Sequence, residues 1–167
     1  MQQKVLMRQG FDFLRFCPLP AQLPFIAGRE CFTQRACLCG TGSGKTKVGC
    51  YEDLAWALLY PGSVGYIFEP SYPMIIRILF PTLESKDLLG CSFPFEQNPY
   101  VAEFNRGDMR LTFWNGSQWW FVSLDDPEHS EGPNVDYIHI DEARLVRHLD
   151  TAWLTSVRRL RKSDRCS

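Results

Sequence analysis

The stretch that decides the fold of this chain is Arg35-Ala36-Cys37-Leu38-Cys39-Gly40-Thr41-Gly42-Ser43-Gly44-Lys45-Thr46. Short, mostly apolar residues lead into a glycine-dense turn, and the turn ends in Gly-Lys-Thr before a helical pattern begins. This order predicts a strand, a phosphate-binding loop and a helix N-terminus. Glycines let successive backbone N–H groups point into one concavity, and the helix that begins near Lys45 adds its unpaired N–H groups and its dipole.

The loop residues are candidates for binding the phosphates of a nucleoside triphosphate. The Lys45 ammonium would reach the β- and γ-phosphates, and the Thr46 hydroxyl would ligate Mg²⁺. One position departs from the pattern G-x-x-x-x-G-K-[ST], because Cys39 stands where its first glycine is expected. The competing interpretation is a glycine-rich turn that contains Lys and Thr by chance. The predicted phosphate-binding residues are Gly40, Thr41, Gly42, Ser43, Gly44, Lys45 and Thr46.

Length and composition indicate one globular domain. The chain has 167 residues, of which 45% are hydrophobic and 22% charged, and this is enough for a single core. Its net charge is −1, so a nucleic-acid partner would have to be bound by a local basic patch. No apolar run reaches membrane-spanning length, and the N-terminus lacks a signal-peptide pattern. We therefore expect a protein that is neither secreted nor inserted in a membrane.

The seven cysteines show no C-x-x-C spacing. An odd number of cysteines without a secretion signal fits a reducing cytoplasm. Cys37 and Cys39 lie on one face of the predicted strand before the loop, which favours buried, small apolar thiols. The three histidines are scattered in the sequence, so a metal site made of protein ligands alone is not expected.

Proline and glycine divide the rest of the chain. Residues 1–30 contain several prolines and are expected to be irregular. Apolar residues at helical spacing predict a helix that ends before Pro61-Gly62, and the run 64–68 predicts a strand. A helix bent or interrupted by Pro81 is expected over 74–88, and a loop over 89–106.

The second half of the chain predicts a hairpin, a buried strand and a last helix. Two apolar segments, 109–114 and 118–124, flank Asn115-Gly116, a pair typical of tight hairpin turns. A polar loop over 125–134 precedes a strand over 135–140, and 143–162 has a helical pattern. The strand is followed directly by Asp141-Glu142.

Two adjacent carboxylates after a buried strand suit nucleoside-triphosphate hydrolysis. Asp141 would hold Mg²⁺ opposite the Thr46 hydroxyl, and Glu142 would polarise the attacking water as general base. The alternative for an isolated Asp-Glu pair is the start of a solvated loop. Together with Gly-Lys-Thr, the pair predicts an ATPase site.

The motifs together resemble the ATPase domain of tailed-phage terminase large subunits, the motors that pump viral DNA into capsids. The resemblance rests on CGTGSGKT, a Pro-Ser step after the second strand, an Asn-Gly-Ser hairpin, SLDDPEHSEGPNVDYIHIDEARLV and RRLR, and extends from about Gln22 to Arg161. It implies an α/β, RecA-like P-loop NTPase fold of the additional-strand type. The sheet would be mostly parallel and flanked by helices, with an inserted β-hairpin.

The resemblance also implies a site, ligands and partners. It gives Lys45 and Glu142 catalytic roles, places Thr46 and Asp141 on the metal, and puts Gln22 where the family has an adenine-contacting glutamine. From the residues alone, Gln22 could equally lie in an apolar segment that packs on the side of the domain. ATP and Mg²⁺ are the implied cofactors. Double-stranded DNA, a portal protein and a small terminase subunit are the implied partners, for a homo-oligomeric ring in the host cytoplasm.

Two departures from the family qualify the resemblance. Many members have an arginine in the phosphate loop where this chain has Thr41, so Arg77 or Arg106, or a neighbouring subunit, would have to supply an arginine finger. The sequence also ends at Ser167, before the strand that the family inserts beside its phosphate-loop strand. We therefore expect an irregular segment over 1–30, then an incomplete ATPase domain over 31–167 without a nuclease domain. Its sheet would lack the C-terminal part, so the isolated chain would be unstable or would pair its strands differently.

Two other functions are compatible with the motifs. Asp-Glu-Ala-Arg resembles the DExx box of helicases, which indicates a helicase or translocase ATPase as one alternative. The other is an inactive terminase remnant that binds nucleotide or DNA without turnover. The basic run 158–162 could contact DNA phosphates, although such a run is usually a solvated helix face.

Overall fold

The computed structural model describes residues 16–91, 94–125 and 133–160. The predictions for 1–15, for most of the 125–134 loop and for the end of the basic run lie outside the described residues. Five strands form one sheet in the order β2-β3-β4-β1-β5. The strands are β1 Val64–Glu69, β2 Val101–Asn105, β3 Arg110–Phe113, β4 Gln118–Ser123 and β5 Tyr137–Ile140.

The sheet is mixed and open. Strand β1 pairs in parallel with both β4 and β5, whereas β3 is antiparallel to both β2 and β4. Every strand except β3 therefore runs in the same direction. The predicted α/β fold with a mostly parallel sheet is confirmed. The predicted hairpin forms as β3–β4, and the pairing of β4 with β1 joins it to the main sheet.

The principal helix begins at the predicted phosphate-binding loop, residues 40–46, which is called the phosphate loop below. The α-helices are α1 Leu23–Ala27, α2 Lys45–Leu59, α3 Tyr72–Met74, α4 Phe80–Leu83 and α5 Leu149–Val157. Helix α2 buries an apolar face against one side of the sheet, including Cys50, Tyr51 and Leu54. Among the described residues, each helix is too short or too polar to cross a membrane.

Strand β1 separates the two parts of the core. Its Ile67 faces the cluster that contains α2, whereas Tyr66 and Phe68 face a smaller cluster on the other side. This alternation follows from the two-residue period of a strand. Near the middle of the sheet, the Tyr137 hydroxyl accepts a hydrogen bond from Trp119 Nε1 at 2.6 Å and donates one to the Asp53 carbonyl at 3.2 Å. These bonds fix β4, β5 and α2 relative to one another.

The segment before the phosphate loop differs from the prediction. Residues 34–40 form no strand: Leu38 is 95% exposed, Cys39 is exposed and Cys37 is half-buried. The prediction of buried thiols on a strand was therefore wrong. A strand needs a neighbour that pairs with its backbone groups. Within the described residues, β5 is the edge strand beside β1, and it pairs with none of residues 34–40. Beside β5, Val135 forms only an isolated parallel bridge with Leu160.

The N-terminal segment is more regular than its prolines suggest. Residues 20–30 form three consecutive turns, the 3₁₀ turn Pro20–Gln22, helix α1 and the 3₁₀ turn Gly28–Glu30. The prediction of an irregular segment was wrong for this part, because Pro20 and Pro24 occupy first-turn positions, where a missing N–H is tolerated. A buried ion pair, with Arg29 Nη2 2.5 Å from Glu52 Oε1, holds these turns against α2.

Three other segments also differ from the predictions. The predicted helix over 74–88 forms as one continuous helical run over 72–83, made of α3, a π-helical turn Ile75–Leu79 and α4, but it ends before 88. Pro81 lies in the first turn of α4, where a missing N–H is tolerated. Strand β2 lies in the predicted loop 89–106, because a bulge between Val101 and Glu103 hides its alternation. The predicted last helix is divided into the 3₁₀ turn Ala143–Leu145 and α5.

Candidate active site

The phosphate loop has the backbone that its glycines predict. Gly42 and Gly44 each have a φ of 78°, in the left-handed region that favours glycine. Gly44 is the N-cap of α2, and its carbonyl accepts the first helical hydrogen bond, from the Val48 N–H at 3.0 Å. The loop therefore leads directly into the N-terminus of a helix of 15 residues. A helix N-terminus of this kind favours an anion.

The Gly40 carbonyl organises the inside of the loop. It accepts a hydrogen bond from Ser43 Oγ at 2.8 Å and another from Lys45 Nζ at 3.0 Å. The Lys45 ammonium is therefore folded back over the loop. A bound phosphate would offer the ammonium a stronger, charged acceptor than this carbonyl.

The two predicted motifs meet in the structure. Thr46 Oγ1, on the first turn of α2, donates a hydrogen bond of 2.5 Å to Asp141 Oδ2 at the end of β5. The other oxygen of Asp141 accepts the N–H of Glu142 at 2.9 Å. Asp141 is buried. The prediction that Thr46 and Asp141 face one metal ion stays a prediction, but the structure brings their oxygen atoms together.

Glu142 has an unusual backbone. Its φ is 44° and its ψ is 38°, so a non-glycine residue occupies the left-handed region. Such a conformation costs of order 1–3 kcal/mol and often occurs at functional sites. The Glu142 carboxylate accepts a hydrogen bond from Arg144 Nε at 2.9 Å. The predicted general base therefore lies at the cavity, and the Arg144 guanidinium compensates part of its negative charge.

A cavity of about 370 Å³ lies over the loop and the start of α2. Six of the predicted site residues line it: Thr41, Gly42, Gly44, Lys45, Thr46 and Glu142. The predicted residues Gly40, Ser43, Asp141 and Gln22 lie outside the lining. Charged and hydroxyl side chains around a helix N-terminus suit a polyanionic ligand.

Three lining residues were not predicted from the sequence: Lys47, Thr82 and Ser85. Lys47 forms an ion pair with Asp87. The Thr82 hydroxyl donates to the Ile78 carbonyl at 2.8 Å, whereas Ser85 Oγ is buried and has no hydrogen-bond partner among the described residues. Thr82 and Ser85 follow the π-helical turn, whose position no periodicity in the sequence indicates.

Gln22 lies beneath the phosphate loop rather than in the cavity. Its side-chain Nε2 donates to the Gly44 carbonyl at 3.1 Å and to the Ser43 carbonyl at 3.4 Å. Its Oε1 accepts the Leu19 N–H at 2.9 Å. A Cβ at Gly44 would lie 2.7 Å from Nε2, so any other residue there would push this amide aside. The structure thus gives Gln22 a positioning contact, and its adenine contact stays a prediction.

A second carboxylic acid lies behind Asp141. Glu69 follows Phe68, which is in register with Ile140, so Glu69 and Asp141 are adjacent at the ends of β1 and β5. Glu69 is fully buried, and both of its carboxyl oxygens lack a hydrogen-bond partner among the described residues. Burial, reinforced by the Asp141 carboxylate, raises the pKa of Glu69 to about 8.

A partly buried ion pair supports the same end of the sheet. His139 Nδ1 lies 2.7 Å from Asp53 Oδ2, between β5 and α2. Burial alone would lower the pKa of His139, but the Asp53 carboxylate outweighs it and raises that pKa to about 9. The imidazole ring lies against α2 where a Cβ at Gly49 would approach its Cε1 to 2.4 Å. Gly49 therefore lets α2 approach β5 closely.

The two candidate finger arginines, Arg77 and Arg106, lie on exposed parts of the chain. Arg77 is exposed on the π-helical turn, and Arg106 is exposed after β2. Neither is among the described residues that line the cavity. Their role as an arginine finger stays a prediction.

Comparison with solved structures identifies the fold. The chain superposes on the large terminase ATPase domain of Thermus phage P74-26 with a TM-score of 0.63 and 23% sequence identity, covering 90% of this chain and 64% of that one. An arginine-to-alanine mutant of the same domain matches with the same score and identity, over 89% of this chain. This chain thus spans less than two thirds of those structures. No protein-family model and no curated protein matches the sequence. At this identity the likeness shows a shared fold.

Proposed function

We propose that this chain is an ATPase of the terminase large-subunit type, which hydrolyses ATP to move double-stranded DNA. The observation that supports it most is the hydrogen bond between Thr46 and Asp141, which joins the phosphate loop to the acidic strand end. Lys45 and Glu142 then line one cavity, as hydrolysis of a triphosphate needs. The shared fold with a phage terminase ATPase domain supports the same proposal.

In this proposal the loop binds the triphosphate. The N–H groups at the start of α2 and the Lys45 ammonium hold the β- and γ-phosphates, and Lys45 leaves the Gly40 carbonyl to do so. Thr41, which lines the cavity, adds a hydroxyl donor where the family often has an arginine. Fixing the γ-phosphate in this way positions it for in-line attack by water.

The oxygen ligands present suit Mg²⁺. Thr46 Oγ1 and Asp141 Oδ2 are hard oxygen donors that already meet. Thr46 and Asp141 would hold the ion, with Asp141 acting through its water shell. When bound, Mg²⁺ neutralises charge on the phosphate oxygens.

Glu142 orients and deprotonates the attacking water in this proposal. Its left-handed backbone turns it away from the preceding Asp141, so the two acids have different tasks. The Glu142 carboxylate accepts a hydrogen bond from Arg144, and it would exchange this partner for the attacking water.

The resemblance of the motifs to tailed-phage terminase large subunits implies that the working assembly is a homo-oligomeric ring in the host cytoplasm. It would contact a portal protein and a small terminase subunit. An arginine finger would come from Arg77, Arg106 or a neighbouring subunit.

Nucleotide hydrolysis by the purified chain tests the proposal, measured with and without double-stranded DNA. We expect turnover in the wild type and its loss in both Lys45→Ala and Glu142→Gln, while Lys86→Ala, a lysine outside the cavity, keeps it. Equal rates in all four proteins would contradict an ATPase at this site. Tight ATP binding by the wild type without turnover would favour a nucleotide-binding protein, the second candidate, which the Glu142–Arg144 contact supports.

A further inference from the structure

Two thiols lie together at the entrance to the phosphate loop. Cys37 Sγ and Cys39 Sγ are 3.4 Å apart, on the same side of the chain, whereas Leu38 between them is 95% exposed. They belong to segment 34–40, which forms no strand, so no ladder of hydrogen bonds resists a change in its backbone. Cys39 directly precedes Gly40, whose carbonyl holds both Ser43 and Lys45.

The two thiols differ in environment. Hydrogen bonding to Ser43 and to Cys37, with the Lys45 ammonium nearby, lowers the pKa of the exposed Cys39 thiol. Burial, together with the neighbouring Cys39, raises the pKa of Cys37. An exposed thiol that favours its thiolate, next to a second thiol in reach, is the arrangement in which cysteine oxidation ends as a disulfide.

We propose that Cys37 and Cys39 are a site of reversible oxidation, at which a hydroperoxide converts the two thiols to a disulfide that weakens nucleotide binding by the adjacent loop. The first part of this proposal, formation of the disulfide, rests on the geometry of the two thiols. The second part, the weaker nucleotide binding, rests on the proposed function.

The reaction balances with one hydroperoxide. The Cys39 thiolate attacks one peroxide oxygen and breaks the O–O bond, which gives a sulfenic acid and, after proton transfer, water or an alcohol. The Cys37 thiol then attacks the Cys39 sulfur, the S–O bond breaks, and the hydroxyl leaves as water. Two electrons pass from the sulfur atoms to the peroxide. Any dithiol reductant restores both thiols by exchange.

The disulfide alters the loop through Gly40. A disulfide needs the sulfur atoms at about 2.05 Å, so Cys39 has to move toward Cys37 and away from Ser43. Gly40 follows Cys39 in the chain, and its carbonyl accepts from Ser43 Oγ and Lys45 Nζ. A displaced carbonyl loses its bond from Ser43 Oγ, which changes the backbone of the loop whose Thr41 and Gly42 line the cavity.

Peptide mapping tests the first part. The full chain is treated with stoichiometric hydrogen peroxide, alkylated and digested, with exposed Cys17 and Cys31 as internal reference thiols. We expect the peptide containing 37–39 to lose two hydrogen atoms faster than the reference thiols oxidise, and dithiothreitol to reverse it. In Cys37→Ser, Cys39 should instead accumulate as a sulfenic acid that dimedone traps. Oxidation of Cys39 no faster than Cys17, or cross-linking mainly to Cys31, would overturn the proposal.

Binding of a fluorescent ATP analogue tests the second part. We expect oxidation to weaken binding about tenfold or more, since contacts to a charged group are lost, and reduction to restore it. The Cys37→Ser/Cys39→Ser double variant should show no effect of peroxide. A disulfide that leaves affinity unchanged would overturn the regulatory part. Absence of ATP binding by the reduced protein would overturn the proposed function instead, while the mapping result remained.

Discussion

Thr46, which lines the cavity, and Asp141, 95 positions later in the chain, are joined by a hydrogen bond of 2.5 Å. Thr46 lies in the first turn of α2 and Asp141 directly follows β5, so the bond connects the two motifs on which the proposed chemistry depends. A hydroxyl is needed for it, which makes Thr46 the most direct test of the arrangement. We expect Thr46→Ala to weaken Mg²⁺-dependent ATP binding by about tenfold, because the bond to a charged group is lost. Titration calorimetry with and without Mg²⁺ would measure it.

Thr46→Ser is the matched control, since it keeps the hydroxyl and removes only a methyl group. We expect its Mg²⁺-dependent affinity to stay near that of the wild type. If Mg²⁺ changed the ATP affinity of Thr46→Ala by the same factor as that of the wild type, the threonine would have no part in metal binding.

Glu142→Gln should separate binding from hydrolysis. The amide keeps the size of the side chain but cannot accept a proton, so we expect hydrolysis to fall about 10²- to 10⁴-fold while ATP affinity is retained. Single-turnover hydrolysis and equilibrium binding of ATP would give the two quantities. Arg144→Ala is the companion variant: its hydrolysis should be kept, because it removes only the partner of the base. A parallel loss of ATP affinity in Glu142→Gln would show that the glutamate acts in binding.

Gln22→Ala distinguishes the observed contact of this residue from its predicted one. The amide supports the Ser43 and Gly44 carbonyls, so its loss should loosen the loop for any triphosphate. We expect affinity for ATP and for GTP to fall by the same factor, about 3- to 10-fold, as for one hydrogen bond. A selective loss of ATP would support the adenine contact that the family resemblance implies.

Gly49→Ala should destabilise the fold although it lies in a helix. Helix propensity alone would favour alanine by about 1 kcal/mol, but the new Cβ would lie 2.4 Å from His139 Cε1. We expect a net loss of about 1–3 kcal/mol in the free energy of unfolding, measured by urea denaturation. In a His139→Ala background, where the ring is absent, the same change should be neutral or stabilising. An unchanged penalty in that background would rule out the contact with His139 as its cause.

The buried Glu69 should give the fold a measurable pH dependence. Its pKa is raised from 4.5 to about 8 in the folded state, so between these values the folded chain holds a proton that the unfolded chain has released. The free energy of unfolding contributed by this group therefore falls as the pH rises through this range. In Glu69→Gln that contribution is absent. We expect the stability difference, variant minus wild type, to increase from pH ~5 to pH ~8; a constant difference would show an ordinary glutamate pKa.

Local patterns predicted much of the fold and the site. The glycines of 40–44, the period of α2, the Asn115-Gly116 turn and the apolar run before Asp141 each specify structure over a few residues, and each formed as predicted. What failed depends on distant partners. Segment 34–40 has the composition of a strand, but a strand forms only where a neighbour pairs with it. Neither the π-helical turn nor the contacts of Gln22 has a sequence period, so the cavity residues Thr82 and Ser85 could not be predicted.

The turns over 20–30 reach the phosphate loop through the amide of Gln22 and α2 through Arg29. Under the proposed function, affinity for a triphosphate would therefore depend partly on a segment whose observed contacts are to the loop and to α2. A molecule that bound to that segment could therefore change nucleotide binding without entering the cavity.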